Sequence, residues 1–294
     1  MPRCRSNIFG IMNSPSAPAT IAISQPADPR LDDIRDLNKS DSRPDLPGGK
    51  GLIIAEGTLI VPRLVRSRYH LRAIYGTPTK LAALHQALTD TERTRAAEVP
   101  WYEISRETMA AVAGFDLHRG LLATADRGFE RTVAEVIEGA RTIAVLEGVG
   151  DHENIGALFR NAAGMGVDGI LFGAATADPL YRRSVRVSMG HVLSVPYAHL
   201  PGTITTWQRS LEELRQRGFH IVAMTPAGDV ALWEAVAGEK VAIVVGAEGP
   251  GLTEHAMRAT DIRARIPMSP GTDSLNVATS AAIAFYERLR VLAQ

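Results

Sequence analysis

The sequence predicts an α/β protein of two units, the second built on a parallel sheet. Three observations predict it. Continuous apolar, β-branched runs such as Thr142-Ile-Ala-Val-Leu-Glu147 and Val241-Ala-Ile-Val-Val245 alternate with helical segments, the signature of parallel strands buried on both faces. A smaller alternation of strands and helices precedes them over residues 28–130. Three polar or Gly-rich stretches then follow strands of the second half: Asp151-His-Glu-Asn154-Ile-Gly156-Ala-Leu-Phe-Arg160-Asn161, Gly246-Ala-Glu248-Gly249-Pro-Gly251 and Ser274-Leu-Asn276-Val277.

In chain order, the first 27 residues carry Arg3 and Arg5, no acid, and many Ser, Pro and Ala. They read as a disordered leader; a transit peptide or an upstream start codon are the other readings. An amphipathic segment at 28–37 and a Pro- and Gly-rich stretch at 38–51 lead to a strand from Gly51 to Gly57. A helix is expected over Thr58–Ser67 and a strand over Leu71–Tyr75. A helix over Lys80–Thr89, with Leu81, Leu84 and Leu88 on one face, an edge element over Val99–Ile104, a helix over Ser105–Ala113 and a strand over Leu121–Asp126 complete the unit. A helix over Thr132–Gly139 opens the second unit, assigned to residues 131–294. Its expected strands are Thr142–Glu147, Gly169–Phe172, Phe219–Met224, Val241–Val245 and Arg263–Ile266. Its expected helices are Asn154–Met165, Ile204–Gly218, Thr253–Ala259 and Asn276–Leu292.

Composition removes several classes of function. Lys+Arg and Asp+Glu both number 32, so no global field draws the chain to a polyanion, and any such partner must meet a local patch. The lone Cys4 excludes a disulfide framework and fits a reducing, cytoplasmic setting. No run of about 18 apolar residues is present to form a membrane span. Gly148-Val-Gly150 follows a strand, but the third fingerprint glycine is replaced by Glu153, which would repel a pyrophosphate. No phosphate-binding Gly-x-x-x-x-Gly-Lys-Ser/Thr loop occurs. His152-Glu153 lacks the second His of a zinc helix, so no metal site is expected, and neither Ser188 nor Ser274 sits in a nucleophile elbow.

The glycines of Gly246–Gly251 admit two readings: a backbone laid close to a ligand, or a tight strand-to-helix turn with Thr253 as N-cap. Ser274 can cap the last helix, while the apolar, Pro-stiffened loop Ile266-Pro-Met268-Ser-Pro-Gly271 suits an adenine-like ring. Asn154 and Arg160, six residues apart, point about 120° from one another on a regular helix. They line one cleft only if Asn154 precedes the helix.

Together the motifs Asn154-Ile-Gly-Ala-x-x-Arg160, Gly246-x-Glu248-Gly249 and Ser274-Leu-Asn276-Val277, in that order, resemble the SpoU/TrmH branch of the SPOUT RNA methyltransferases. Ile54-Ala-Glu56-Gly57 and His118-Arg-Gly120 resemble the family's ribosomal-protein-like RNA-binding domain. The resemblance implies a deep trefoil knot, a homodimer, and S-adenosylmethionine-dependent methylation of a ribose 2′-hydroxyl. Carried over by position, Thr225, Gly246, Gly249, Ile266, Met268, Leu275 and Asn276 hold the cofactor. Arg160, Asn154, Glu248, Ser274 and Asn276 form the catalytic set. Two arginine groups, Arg63, Arg66, Arg68 and Arg72 in the first unit and Arg182, Arg183 and Arg186 in the second, are expected to contact RNA. Ribosomal RNA is the expected substrate. Transfer RNA and a catalytically inactive RNA-binding assembly factor are the alternatives.

Overall fold

The computed structural model describes residues 19–37, 51–117 and 119–293. Most of the leader and His118 therefore lie outside the described residues. The first sheet contains β1 (Thr20–Ala22), β2 (Leu52–Glu56), β3 (Leu71–Gly76), β4 (Trp101–Glu103) and β5 (Leu121–Asp126), in spatial order β1-β4-β3-β5-β2. β1 and β3 run parallel to β4, and β5 lies antiparallel between β3 and β2. The leader expectation is thus corrected at its end: Thr20 to Ala22 pair with Trp101 to Glu103, and Ile23 is buried behind them. A three-residue edge strand carries too little apolar signal to stand out among Ser and Pro.

Local capping sets the helix boundaries. The helix expected over Lys80–Thr89 is Pro78–Ala87, and a further, unexpected helix, Asp90–Ala96, follows it. Thr89 stops the first and starts the second, because its hydroxyl accepts from the Glu92 amide while the Glu92 carboxylate accepts from the Thr89 amide. The same reciprocal cap, Thr132 with Glu135, opens a short helix over Val133–Ile137. The segment expected as one helix over Ile204–Gly218 is a 3₁₀ turn, Trp207–Ser210, running into Leu211–Gln216.

The second sheet is parallel throughout. It contains β6 (Thr142–Leu146), β7 (Gly169–Phe172), β8 (Tyr197–His199), β9 (His220–Met224), β10 (Val230–Ala231), β11 (Val241–Val245) and β12 (Ile262–Arg265), ordered β10-β12-β9-β11-β6-β7-β8. Every residue of β6, β7 and β11 is buried, which is why these strands read as unbroken apolar runs. The helices His152–Gly164 and Val277–Leu292 cover one face, and Phe159, Phe172 and Tyr197 form an aromatic cluster beneath with centroids 5.7–6.1 Å apart. Trp207, Leu211, Leu214 and Phe219 fill the other face.

The two units are packed together. Ile53, Val61 and Leu64 of the first belong to one apolar cluster with Val185, Val192 and Phe285 of the second. Arg127 forks onto Asp178 across the boundary at 3.1 and 2.6 Å. Arg288, 1% exposed, staples the last helix to the sheet's lower edge. Its guanidinium donates to the carbonyls of Val236, Gly238, Glu239 and Arg141 and to the Thr142 hydroxyl. No described helix is long and apolar enough to cross a membrane.

Candidate active site

The chain places β7 and β8 on one side of β6 and β11, β9, β12 and β10 on the other. Such a reversal opens a crevice beyond the carboxyl ends of the strands. The segments leaving β9, β11 and β12 enclose a cavity there of about 250 Å³. Its wall carries the expected Thr225, Gly246, Gly249, Ile266, Met268 and Leu275, together with Glu248 and Ser274. Met224, Leu252 and Met257 add an apolar floor that no motif announced. Thioethers and aliphatic groups beside exposed backbone amides can take a flat heteroaromatic ring and a sulfonium chain.

Asn154, Glu248 and Asn276, from three separate motifs, meet in one hydrogen-bond network. The Asn276 amide nitrogen donates to Asn154 Oδ1 at 2.9 Å and to Glu248 Oε1 at 2.5 Å. Asn154 Nδ2 donates to the other Glu248 oxygen at 3.3 Å. Asn276 Oδ1 meanwhile accepts from the amides of Ala278 and Thr279, making Asn276, and not Ser274, the N-cap of the last helix. Ser274 is left exposed on the cavity wall.

Gly246 is required by its own chain. A Cβ there would lie 2.4 Å from the Gly251 carbonyl carbon and from the Leu252 nitrogen, because the loop closes on itself through the Gly251 amide and the Ala247 carbonyl at 3.0 Å. Turn geometry and cavity wall are therefore one feature. What fixes this loop is Glu147, a residue the motifs did not include. It is 1% exposed and its carboxylate accepts from Thr253 N at 2.8 Å, Thr253 Oγ1 at 2.9 Å, Trp207 Nε1 at 2.7 Å and Gln208 Nε2 at 3.3 Å. An acid closing an otherwise apolar strand was the available signal.

Arg160 stands apart from this network. Asp151 caps the helix, its carboxylate accepting from the Glu153 amide, so Asn154 lies inside the first turn rather than in a preceding loop. Asn154 and Arg160 consequently face different ways. Arg160 is exposed near His191, and burial, then the positive charges of Arg63 and Arg160, hold that imidazole below its ordinary pKa.

The two expected arginine groups are also redistributed. Arg63, Arg66 and Arg68 line a second cavity, joined by Arg131 and His191. Arg72 faces elsewhere, paired with Asp33 and Asp126 at 2.7 and 3.1 Å. Arg182 lies over the Phe115 ring, Arg183 pairs with Glu153 at 2.8 Å, and Arg186 is exposed.

The SpoU rRNA Methylase family model matches residues 141–286, from the start of the second sheet into the last helix. A Mycobacterium tuberculosis protein named as an uncharacterized tRNA/rRNA methyltransferase is 55% identical over 272 residues, covering 91% of both chains. A 23S rRNA (guanosine-2′-O-)-methyltransferase, RlmB of Bordetella pertussis, is 28% identical over 81% of this chain and 96% of its own. The fold is shared with the AdoMet-bound rRNA methyltransferase of Sinorhizobium meliloti, with a TM-score of 0.76, 23% identity, and coverage of 93% of this chain and 98% of that one. With an identity of 55% across nine-tenths of a relative and the family model matching residues 141–286, the chain belongs to the SpoU rRNA methylase family.

Proposed function

We propose that this chain transfers the methyl group of S-adenosylmethionine to a ribose 2′-hydroxyl of structured RNA. The observation that carries the reading is the crevice beyond β9, β11 and β12, with Glu248 on its wall and Asn154 and Asn276 locked to that carboxylate from behind it. Thr225, Gly246, Gly249, Ile266, Met268, Leu275 and Asn276 hold the cofactor. Its sulfonium supplies an activated methyl group. The protein's contribution is positional, because a ribose hydroxyl is a weak nucleophile and the displacement needs an in-line approach. The Asn–Glu–Asn network fixes the crevice wall, Ser274 faces the substrate, and Arg160 stabilises the negative charge that develops on the ribose oxygen or sits on its neighbouring phosphate.

Residues 28–130, with the strand Thr20–Ala22 added to their sheet, serve as the RNA-binding unit and 131–294 as the methyltransferase unit, with the deep trefoil knot and homodimer that the family resemblance implies. Ribosomal RNA is the preferred substrate, by analogy with RlmB, and transfer RNA is the second. A binding-only assembly factor is disfavoured by the intact network. Two measurements test the proposal. Calorimetry should register S-adenosylmethionine binding, and 2′-O-methyl mapping of total RNA with and without the protein should reveal a site that depends on it. Cofactor binding without any such site would favour the binding-only reading.

A further inference from the structure

A second cavity, about 420 Å³, lies where the two units meet. Arg63, Arg66, Arg68, Arg131 and His191 line it, and none of its lining residues is acidic. In a chain whose charges balance, that is a basic wall, tempered outside the cavity by Glu130 and Glu135, whose carboxylates feel Arg68. The arginines differ in what they can offer. Arg66 is neutralised by Glu92, whereas Arg63 and Arg68 donate to the uncharged carbonyls of Met189 and Phe129 and keep their charge uncompensated by those contacts. Arg68 is further ordered by lying 4.7 Å over the Tyr69 ring.

The turn behind the cavity is built for close approach. Met189 adopts φ +55 and Gly190 φ +84, and a Cβ on Gly190 would meet Ile60 at 3.1 Å and Arg63 at 3.3 Å. The chain reversal thereby sets His191 beside Arg63. Beside the basic wall is a large aromatic with no packing role: Phe129, whose carbonyl receives Arg68 at 2.6 Å, is 94% exposed. Glu130, the next residue, is clamped to His199 at 2.6 Å, so the segment bearing Phe129 and Arg131 is held in place.

We propose that this cavity holds a single-stranded stretch of the substrate RNA. Backbone phosphates rest on Arg63, Arg68 and Arg131, and one unpaired base stacks on Phe129. Guanidiniums alternating with an exposed ring are the elements that single-strand recognition uses, since every base has a π-face and every nucleotide a phosphate. His191 lies on the cavity wall, and its turn packs against the helix His152–Gly164 that carries Arg160, so a strand lying in the cavity passes close to that helix. This inference rests on the RNA-methylating role proposed above.

The test is an anisotropy titration of a labelled, uridine-rich single-stranded RNA and of a blunt RNA duplex against the full chain. Phe129→Ala should weaken single-strand binding about tenfold, the size of one lost base stack, and leave the duplex unchanged. Phe129→Trp should restore it. Arg131→Ala should lower the slope of log affinity against log salt by about 0.7, one phosphate contact on a single strand. Unchanged single-strand affinity in both variants would overturn the proposal, as would an equal loss on the duplex. Displacement of the RNA by polyglutamate at matched charge would assign the cavity to an acidic peptide instead. Calorimetry with S-adenosylmethionine on the same preparations keeps the two readings apart. Variants that alter RNA binding in a chain that binds no cofactor would retain the cleft and sink methyl transfer.

Discussion

The amide nitrogen of Asn276 lies 2.9 Å from the side-chain oxygen of Asn154, joining the start of the last helix to the first turn of a helix 122 residues earlier. Asn276 does two things at once. Its oxygen caps its own helix, and its nitrogen bridges Asn154 and Glu248. Asn276→Ala removes both and should destabilise the protein by about 1–2 kcal/mol. Asn276→Ser keeps a capping oxygen but has no amide to bridge with. It should recover most of the melting temperature while methyl transfer stays depressed, and recovery of both together would show that the bridge is dispensable.

Glu147 tests the loop rather than the wall. Four donors converge on one buried carboxylate, so Glu147→Ala strands them and should cost about 3–5 kcal/mol in urea unfolding. Glu147→Gln keeps the shape but turns an NH₂ toward groups that are themselves donors. It should fold, with a loss of about 1–3 kcal/mol, and bind S-adenosylmethionine more weakly because Thr253 no longer anchors the Gly246–Leu252 loop. Calorimetry showing wild-type cofactor affinity in Glu147→Gln would confine Glu147 to stability.

Arg288 is remote from the crevice and makes the converse prediction. Burial pushes its pKa below the ordinary guanidinium value, yet it remains the donor to five oxygens that have replaced water. Arg288→Met fills similar volume without donors and should lose at least about 3 kcal/mol. Cofactor affinity, measured well below the unfolding transition, should be preserved. A fall in affinity matching the fall in stability would tie the two ends of the sheet together.

How much of this was legible in the sequence follows from how local each signal is. β6 and β11 could be read directly, because burial on both faces leaves no polar position in either run after Thr142, the first residue of β6. The helix Arg182–Val187 could not, since RRSVRV has no apolar stripe and is fixed by packing on the helix His152–Gly164. The crevice residues were legible because each motif ends a strand and all strands point one way. The arginines were not. Asp33, Asp126 and Glu92, which occupy Arg72 and Arg66, come from segments 26 to 54 residues away, and no spacing within the cluster announces them. Phe129 and Arg131 sit in a connecting segment whose value appears only once Arg68 is seen against it.

His191 gives the binding a pH dependence of definite sign. In the free protein, burial and the charges of Arg63 and Arg160 hold the imidazole below its ordinary pKa, so it is neutral at pH 7. The unfolded chain therefore binds the proton more readily, and the fold loses stability as the pH falls through the ordinary imidazole range. A phosphate placed in the cavity reverses the field, raising the pKa and making RNA binding take up a proton. Affinity should rise as the pH falls through the bound-state value and level off below the free-state value. His191→Gln should abolish that segment of the profile, and a profile identical in the variant would remove His191 from the RNA surface.

Arg160 is the residue whose role most depends on which physical property it contributes. A guanidinium is a very weak acid whose deprotonated form is scarce in water, so taking a proton from a ribose hydroxyl is unfavourable for it, whereas stabilising an oxyanion needs only the charge and the reach. The position of Arg160 favours the second role, since it is exposed on the helix side that leads to His191 and Arg63 and away from the Asn154 network. A charge-stabilising Arg160 can be replaced in part by another cation. Arg160→Ala should lower kcat by about 10²–10³, the usual consequence of losing one such donor, with S-adenosylmethionine affinity intact. Arg160→Lys loses the planar fork but keeps the charge and should retain a measurable fraction of the rate, with a steeper salt dependence than the wild type. If single-turnover assays find Arg160→Lys as inactive as Arg160→Ala while both bind cofactor normally, charge alone is not what the reaction draws from this position, and the fork geometry or proton transfer must be.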